Sequence, residues 1–365
     1  MKQPLALVSV VAVVALATAA TGGGTPAPKL LVSFPGYAYS LGGGGGRIGW
    51  IGTAFRLQLR TMTSPTVASI RYTNVAHELP SNYPPSRWQR RLVVNRSGEI
   101  WWSTTHTQSA VDLDRVLFAA RGATKATTLV KAPHSNGGGG GDFVIGIAGD
   151  ASGFAYGEVV LAATTPDQVA FHVVGGAVFT VDTHGASTKL PGVPPAYVFA
   201  RGAGLFVDEP AATDVNESGA PRPSNVIEVR KSSDGSLVKS LSIPGVRAAA
   251  VNLQTVVLLV GHTLRRYRVS DGTLLGSTML PSGAAQEVET DGMVVVARSA
   301  QAILVANLAT GRLRSLSVAR PWHPTGVAIV DGRVVWSESR GQTPSYPSAK
   351  TFVTRIRSSM LAPHS

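Results

Sequence analysis

The sequence predicts an all-β fold: a seven-bladed β-propeller closed by an N-terminal strand in the last blade. Seven times, an apolar run ends at a proline and a new apolar run starts within a few residues. These junction prolines are Pro35, Pro84, Pro133, Pro194, Pro244, Pro281 and Pro321. Their separations of 49, 49, 61, 50, 37 and 40 residues match one four-stranded blade and are too long for a single hairpin. The composition agrees, because 44% hydrophobic residues, 15% charged residues and 40 glycines suit short buried strands joined by tight turns.

Turn glycines keep a nearly constant offset from three of these prolines. Gly235, Gly272 and Gly311 each precede a junction proline by nine or ten residues. Glycine is favoured where a hairpin needs a positive φ, and proline is tolerated outside the paired ladder. The offset therefore marks the last hairpin of a blade, followed by its outer strand.

The first four blades are assigned in chain order. The first contains Tyr37–Leu41, Arg47–Ile51, Phe55–Arg60 and Ala68–Tyr72, and the second contains Leu92–Val94, Glu99–Thr104, Arg115–Ala119 and Thr127–Lys131. The third contains Phe143–Ala148, Phe154–Ala162, Val169–Val174 and Val178–Thr183, followed by Ser187–Leu190. Its extra element and its 61-residue spacing indicate an inserted hairpin. The fourth contains Tyr197–Ala200, Gly204–Val207, Asn225–Arg230 and Ser236–Ile243, and its polar insertion Pro210–Pro223 is expected to be an exposed loop.

The last three blades are shorter and more regular. The fifth contains Val246–Val251, Thr255–Val260, Leu264–Val269 and Thr273–Leu280. The sixth contains Ala285–Val288, Met293–Ala297, Ala302–Leu308 and Arg312–Val318. The seventh has only Gly326–Val330, Val334–Glu338 and Thr351–Arg357, while Leu30–Phe34 belongs to no other blade. We therefore assign Leu30–Phe34 as the fourth strand of the last blade, which closes the ring and removes its exposed edges.

The N-terminus has the pattern of an export signal. Lys2 is followed by the apolar stretch Leu5–Leu16 and by small residues at which a signal peptidase could cut. The predicted organisation is a signal peptide over residues 1–20, a flexible linker over 21–29 and a single propeller domain over 30–361. The protein is expected to be secreted or to lie on the extracellular side of the cell envelope. The alternative is that the apolar stretch stays uncleaved as an anchor.

Cysteine content and net charge indicate which kinds of site and partner the protein can have. The chain has no cysteine, which excludes disulfides and thiolate metal sites. It carries 33 lysines and arginines against 21 acidic residues, a net charge of +12. For an exported protein, this excess favours a protein or an anionic envelope polymer as partner, rather than nucleic acid. The alternative is that the charge serves solubility alone.

Three turns carry a family resemblance. Residues 233–238, 270–275 and 309–313 read Ser-Asp-Gly-Ser-Leu-Val, Ser-Asp-Gly-Thr-Leu-Leu and Ala-Thr-Gly-Arg-Leu. They resemble the turns of bacterial secreted propellers with quinoprotein-like or WD40-like repeats. The resemblance implies the same architecture, but Asn307 and Ser315 stand where quinoprotein repeats have an aspartate and a docking tryptophan. No family's functional residues can therefore be transferred to this chain.

No catalytic, cofactor or metal site is predicted. The glycine runs Gly42–Gly46 and Gly137–Gly141 lack the helix and the Lys-Ser or Lys-Thr of a phosphate loop, so they are interpreted as flexible turns. No two of the eight histidines have the close spacing of a metal site. Asp150, just before Ser152 and Gly153, is interpreted as a turn residue.

The candidate ligand-binding residues lie in the junction loops, which a propeller gathers at one mouth of its central channel. They are Arg87, Trp88, Arg90, Arg247, Arg320, Trp322 and His323. Guanidinium groups beside flat aromatic rings suit anionic or sugar-bearing ligands. The alternative is that Trp88 and Trp322 pack between blades while the arginines are solvated.

Two functions follow from this interpretation. The first is an exported, non-enzymatic propeller that binds or scaffolds a protein or an anionic envelope polymer. The alternative is an extracellular polysaccharide hydrolase or lyase with its acids or histidines gathered at the channel mouth.

Overall fold

The structure of the protein is a computed structural model. The structure describes residues 27–36, 38, 40–52, 57–70, 78–79, 92–95, 97–107, 111–135, 140–150, 152–163, 171–215, 221–280, 287–291, 294–299, 301–307, 310, 312–341 and 352–361. Within these ranges it contains thirty β-strands and no helix. Accordingly, no helix of the described ranges is long and apolar enough to cross a membrane.

The strands form seven antiparallel blades arranged in a ring. The strands of each blade are given below in order, from the inner strand beside the central channel to the outer strand. The chain begins with β1 (Lys29–Pro35), which is the outer strand of the last blade. Blade 1 contains β2 (Ser40–Gly44), β3 (Arg47–Ile51), β4 (Leu57–Thr61) and β5 (Val67–Ile70), and β6 (Glu78–Leu79) follows it. Blade 2 contains β7 (Leu92–Val94), β8 (Ile100–Thr107), β9 (Val111–Ala119) and β10 (Thr127–Ser135). Blade 3 contains β11 (Gly141–Asp150), β12 (Gly153–Ala163), β13 (Phe171–Val181) and β14 (Ser187–Lys189).

The remaining blades repeat the same order. Blade 4 contains β15 (Ala196–Gly202), β16 (Leu205–Val215), β18 (Val226–Lys231) and β19 (Leu237–Ser242), with β17 (Pro221–Pro223) paired to the end of β16. Blade 5 contains β20 (Val246–Val251), β21 (Thr255–Val260), β22 (Thr263–Arg268) and β23 (Leu274–Met279). Blade 6 contains β24 (Glu287–Asp291), β25 (Val294–Arg298), β26 (Ala302–Asn307) and β27 (Leu313–Ser317). Blade 7 contains β28 (His323–Val330), β29 (Arg333–Gly341), β30 (Phe352–Met360) and β1.

This topology gives the ring two distinct faces. At the junction face, each outer strand connects to the inner strand of the next blade, as at Val246 of β20 and His323 of β28. At the opposite turn face, each inner strand turns into its neighbour, as at Asn252–Gln254 and Asp331–Gly332. Since strand direction alternates within a blade, outer strands also begin at the turn face.

The predicted closure by the N-terminal strand is confirmed. β1 pairs antiparallel with β30 from Lys29 opposite Ser358 to Pro35 opposite Val353. The ring of Phe34 stacks on Trp50 of blade 1 with centroids 5.5 Å apart. The first strand therefore joins the two ends of the ring by both hydrogen bonding and packing.

The hydrophobic core lies between neighbouring blades. Between blades 5 and 6 it is built from small and branched aliphatic residues, among them Ala248, Leu259, Val288 and Leu304. Large aromatic residues are buried elsewhere, with Trp50, Trp101 and Trp336 at most 2% exposed.

The first glycine run is a strand rather than a flexible turn. Gly42, Gly43 and Gly44 belong to inner strand β2, and only Gly45 and Gly46, with φ of 53° and 71°, form the turn. A Cβ atom at Gly44 would overlap the backbone oxygen of Val94 in blade 2. The glycines therefore allow adjacent inner strands to approach closely around the channel. Of the second run, residues 137–139 lie outside the described ranges.

Two details of blades 3 and 4 differ from the prediction. The runs Val169–Val174 and Val178–Thr183 are not separate strands, because β13 continues through Gly175 and Gly176 with an irregularity in its pairing to β12. In place of an exposed loop over Pro210–Pro223, β16 continues to Val215 and pairs with β17. The extension also pairs with β13 at His172 and Asp214, which helps to join blades 2 to 4 into one 14-stranded sheet.

Candidate binding surface

The predicted site residues fall into three groups. Arg87, Trp88 and Arg90 lie outside the described residues. Arg247 is exposed near the start of β20, at a register irregularity between Val246 and Ala248. Arg320, Trp322 and His323 lie together where blade 6 connects to blade 7. Blade 6 separates Arg247 from the other three, although all four lie at the junction face.

Trp322 is held between the blade core and two arginines. Its backbone N–H donates to the carbonyl oxygen of Ala319 at 3.0 Å, which closes the connecting turn. The partly buried ring packs against the core between blades 6 and 7, which includes Val327. The guanidinium carbon of Arg355 lies 3.9 Å from the ring centroid and that of Arg340 lies 5.0 Å from it. Both are within the range of cation–π attraction.

Strand alternation and register explain this arrangement. Trp336, Glu338 and Arg340 share one face of β29 because side chains alternate along a strand. Residues Arg355 and Arg357 share the same face of β30, with Arg355 directly opposite Glu338. The two strands therefore deliver three arginines and one acid to the side of the blade that carries Trp322.

Glu338 compensates only part of this positive charge. Its side chain is 1% exposed and forms an ion pair with Nε of Arg355. Nη1 of Arg357 lies 3.7 Å from the same carboxylate, and Nε1 of Trp336 donates to it at 3.3 Å. Arg355 is therefore largely neutralised, which suits a structural position beneath a ligand.

Arg340 and Arg320 remain exposed and uncompensated. Among the described residues, no carboxylate pairs with either side chain. Exposed His323 lies beside them, with its Nδ1 accepting from the Gln301 amide at 2.8 Å. We call Arg320, Trp322, His323, Arg340 and Arg355 the Trp322 platform.

The Trp322 platform offers a ligand guanidinium groups rather than an uncovered aromatic ring. Guanidinium groups already lie over the indole, so a sugar ring would not stack directly on it. The exposed guanidiniums present planar forks of donors that match phosphate, sulfate or carboxylate oxygens. Sequence analysis missed Arg340, Arg355 and Glu338, because their meeting depends on the pairing of β29 with β30 across residues 342–350.

A cavity of about 590 Å³ lies at the turn-face end of the central channel. It is lined by the last residues of the inner strands, many of them glycines and alanines, and by the charged residues Asp150, Arg201, Glu289 and Asp331. None of Arg247, Arg320, Trp322 and His323 lines it. The platform and this cavity are therefore separate features of the ring.

One ion pair in this cavity, between Asp150 and Arg201, joins blade 3 to blade 4. Nε of Arg201 lies 3.4 Å from Oδ1 of Asp150, and its Nη2 donates to Oγ of Ser152 at 3.1 Å. Burial lowers the pKa of Arg201, and the charge of Asp150 partly offsets this effect. As predicted, Asp150 is a turn residue, since its carboxylate accepts from the backbone N–H of Ser152 at 2.8 Å. Within the described ranges, no three acidic or histidine side chains are placed to hold a metal ion.

Comparisons with known proteins add no family. No family model matches the chain, and no curated protein matches its sequence. Among solved structures it is similar to the computationally designed Ika8 protein, with 13% identity, a TM-score of 0.47, and coverage of 92% of this chain and 100% of the designed one. The assignment as a seven-bladed propeller rests on the sheet topology above.

Proposed function

We propose that the protein is an exported, non-enzymatic binding or scaffold module of the bacterial secreted propeller class, and that it holds an anionic envelope polymer on its junction face. The observation that carries the proposal is the Trp322 platform, in which an indole and a buried acid position one arginine and leave Arg320 and Arg340 exposed. The junction end of a blade that presents exposed guanidiniums suits a repeating polyanion.

The charge distribution along the chain supports the same surface. Residues 246–361, which form blades 5 to 7 apart from β1, contain twelve arginines and one lysine against six acidic residues. The net charge of +12 is therefore concentrated in the part of the ring that carries the platform. Such a field attracts a polyanion before any specific contact is made.

The test is salt-dependent retention of the protein on immobilised poly(glycerol phosphate). Replacing Arg320→Ala and Arg340→Ala together should lower the salt concentration needed for elution, because two phosphate contacts are lost. The matched control, Arg121→Ala with Arg312→Ala, removes the same charge from exposed turn-face positions. Equal weakening by both pairs would show a general charge effect and contradict the assignment to the platform.

Export is a separate part of the proposal, motivated by the apolar stretch Leu5–Leu16 and the small residues after it. The mature protein should begin near Ala20 or Thr21. Intact-mass analysis of the exported form should therefore show the loss of Met1 and of the apolar stretch. Retention of that stretch would favour the anchored alternative.

A further inference from the structure

Within the described ranges, the exposed apolar side chains are distributed unequally between the two faces of the ring. Among the described residues, nine large hydrophobic side chains are exposed. Seven lie at the turn face: Leu30, Val67, Leu237, Leu253, Leu274, Leu313 and Met360. The other two of these nine described side chains, Val174 and Met279, lie toward the junction face.

The apolar positions recur from blade to blade. Val67, Leu237, Leu274 and Leu313 are each the first residue of an outer strand, and Leu30 is the second residue of β1. Five of the seven blades therefore place an apolar side chain at the same point of the turn-face rim. Leu253, 70% exposed, adds a further one in the first turn of blade 5. We call these residues, together with Met360, the apolar rim.

The wide spacing of the apolar rim around the ring suits contact with a planar surface. Protein interfaces gather apolar side chains into a contiguous patch, whereas these are spaced around the ring with polar turns between them. A lipid bilayer is the planar partner that can accept apolar side chains at many separate points, through shallow insertion between headgroups.

The charge of the turn face favours anionic lipid. Among the side chains that the structure describes, six basic ones are exposed there, namely Lys29, Arg121, Lys125, Lys231, Arg268 and Arg312, against the four acids Asp182, Asp234, Asp271 and Asp331. Three of these acids accept hydrogen bonds from backbone N–H groups of their own turns. Basic groups near a membrane surface add electrostatic attraction to the insertion of apolar side chains.

The first described strand also begins at the turn face. β1 begins there at Lys29, and the apolar stretch Leu5–Leu16 ends thirteen residues upstream. Thirteen extended residues reach about 45 Å. Until the apolar stretch is cleaved, this length of chain would hold the face at which β1 begins within about 45 Å of the membrane that contains the stretch.

We propose that the turn face is a peripheral membrane-binding surface, with the apolar rim inserted into the interface of an anionic bilayer. The Trp322 platform, on the opposite face, would then point away from the membrane. The two surfaces act independently, so membrane binding does not rest on the proposed polymer binding.

The test uses residues 21–365, which contain every described strand but not the apolar stretch. Co-sedimentation is measured with vesicles containing phosphatidylglycerol and with vesicles of phosphatidylcholine alone. We expect stronger binding to the anionic vesicles. Leu253→Ser combined with Leu274→Ser should weaken it about tenfold, since two inserting side chains are lost.

The matched control is Val174→Ser with Met279→Ser, which removes two equally exposed apolar side chains from the junction side. It should leave vesicle binding unchanged. Absence of binding to either vesicle, or equal weakening by both pairs, would overturn the proposal. Self-association without vesicle binding, abolished by the turn-face pair in sedimentation velocity, would also overturn it and identify a protein interface.

Discussion

Asp208 is a fully buried carboxyl group in β16, at 0% exposure. Its Oδ1 lies 3.5 Å from Nε of Arg230, but Arg230 also forms an ion pair with Glu228 and donates to the carbonyl oxygen of Gly235 at 3.0 Å. Burial raises the pKa of Asp208 to about 8, because desolvation outweighs the attraction of Arg230.

This carboxyl group makes the stability of the ring depend on pH. Between about pH 4 and pH 8 the group is protonated in the folded protein and ionised in the unfolded chain, so unfolding releases a proton. The stabilisation of the folded state by protonated Asp208 is therefore fully present at low pH. It is lost as the pH rises toward 8, and the free energy of unfolding falls by up to about 1.4 kcal/mol per pH unit. Asp208→Asn should flatten the pH dependence of the free energy of unfolding between pH 5 and 8, measured in urea.

Asp331→Asn is the control for this measurement. Asp331 is exposed in a turn with φ of 47°, a conformation that asparagine also adopts readily. The control should keep the pH dependence of the wild type. A wild-type protein whose stability does not fall between pH 5 and 8 would contradict the assignment of a protonated Asp208.

Inner strand β2 of blade 1 has no room for a side chain at Gly44. A methyl group at Gly44 would collide with the main chain of blade 2, whereas nothing lies within 4 Å of a methyl group at Gly276 in outer strand β23. Gly44→Ala should therefore destabilise the ring by about 1–3 kcal/mol or more through overpacking. Gly276→Ala should change the free energy of unfolding by less than about 0.5 kcal/mol. Equal melting temperatures for the two variants would contradict the close approach of β2 to blade 2.

Much of the element order could be predicted from the sequence because its signals are local. Glycine marks turns with positive φ, such as Gly235 at 75° and Gly272 at 76°. Of the predicted junction prolines, Pro244 and Pro321 lie between blades, but Pro133 lies inside β10, opposite Leu113. The continuity of β13 was missed because Gly175 and Gly176 resemble a turn in sequence. Their conformation as an irregular strand is set by pairing with β12, which the local sequence does not encode.

The candidate site could be predicted only in part for the same reason. Arg320, Trp322 and His323 are close together in sequence, so their location in one junction loop could be predicted. The contacts of Trp322 with Arg340 and Arg355 depend on strand register across a connection outside the described residues. The opposing character of the two faces likewise emerges only when all seven blades are placed in one ring.

At the scale of the whole molecule, the ring depends on one strand from the opposite end of the chain. Deletion of residues 21–36 should cost several kcal/mol, because it removes the pairing of β1 with β30 and leaves an open edge. Deletion of residues 21–28 stops before β1 and should leave thermal unfolding nearly unchanged. If both deletions unfold like the wild type, the ring is not closed by β1.

The central claim is that a closed propeller presents an arginine and tryptophan platform to a polyanion. The most direct test follows tryptophan fluorescence of the wild type and of Trp322→Phe while poly(glycerol phosphate) is added, with neutral dextran as the control polymer. We predict a salt-sensitive change in the wild type that is absent in Trp322→Phe and absent with dextran. A change of equal size in both proteins, or none in either, would contradict binding at the Trp322 platform.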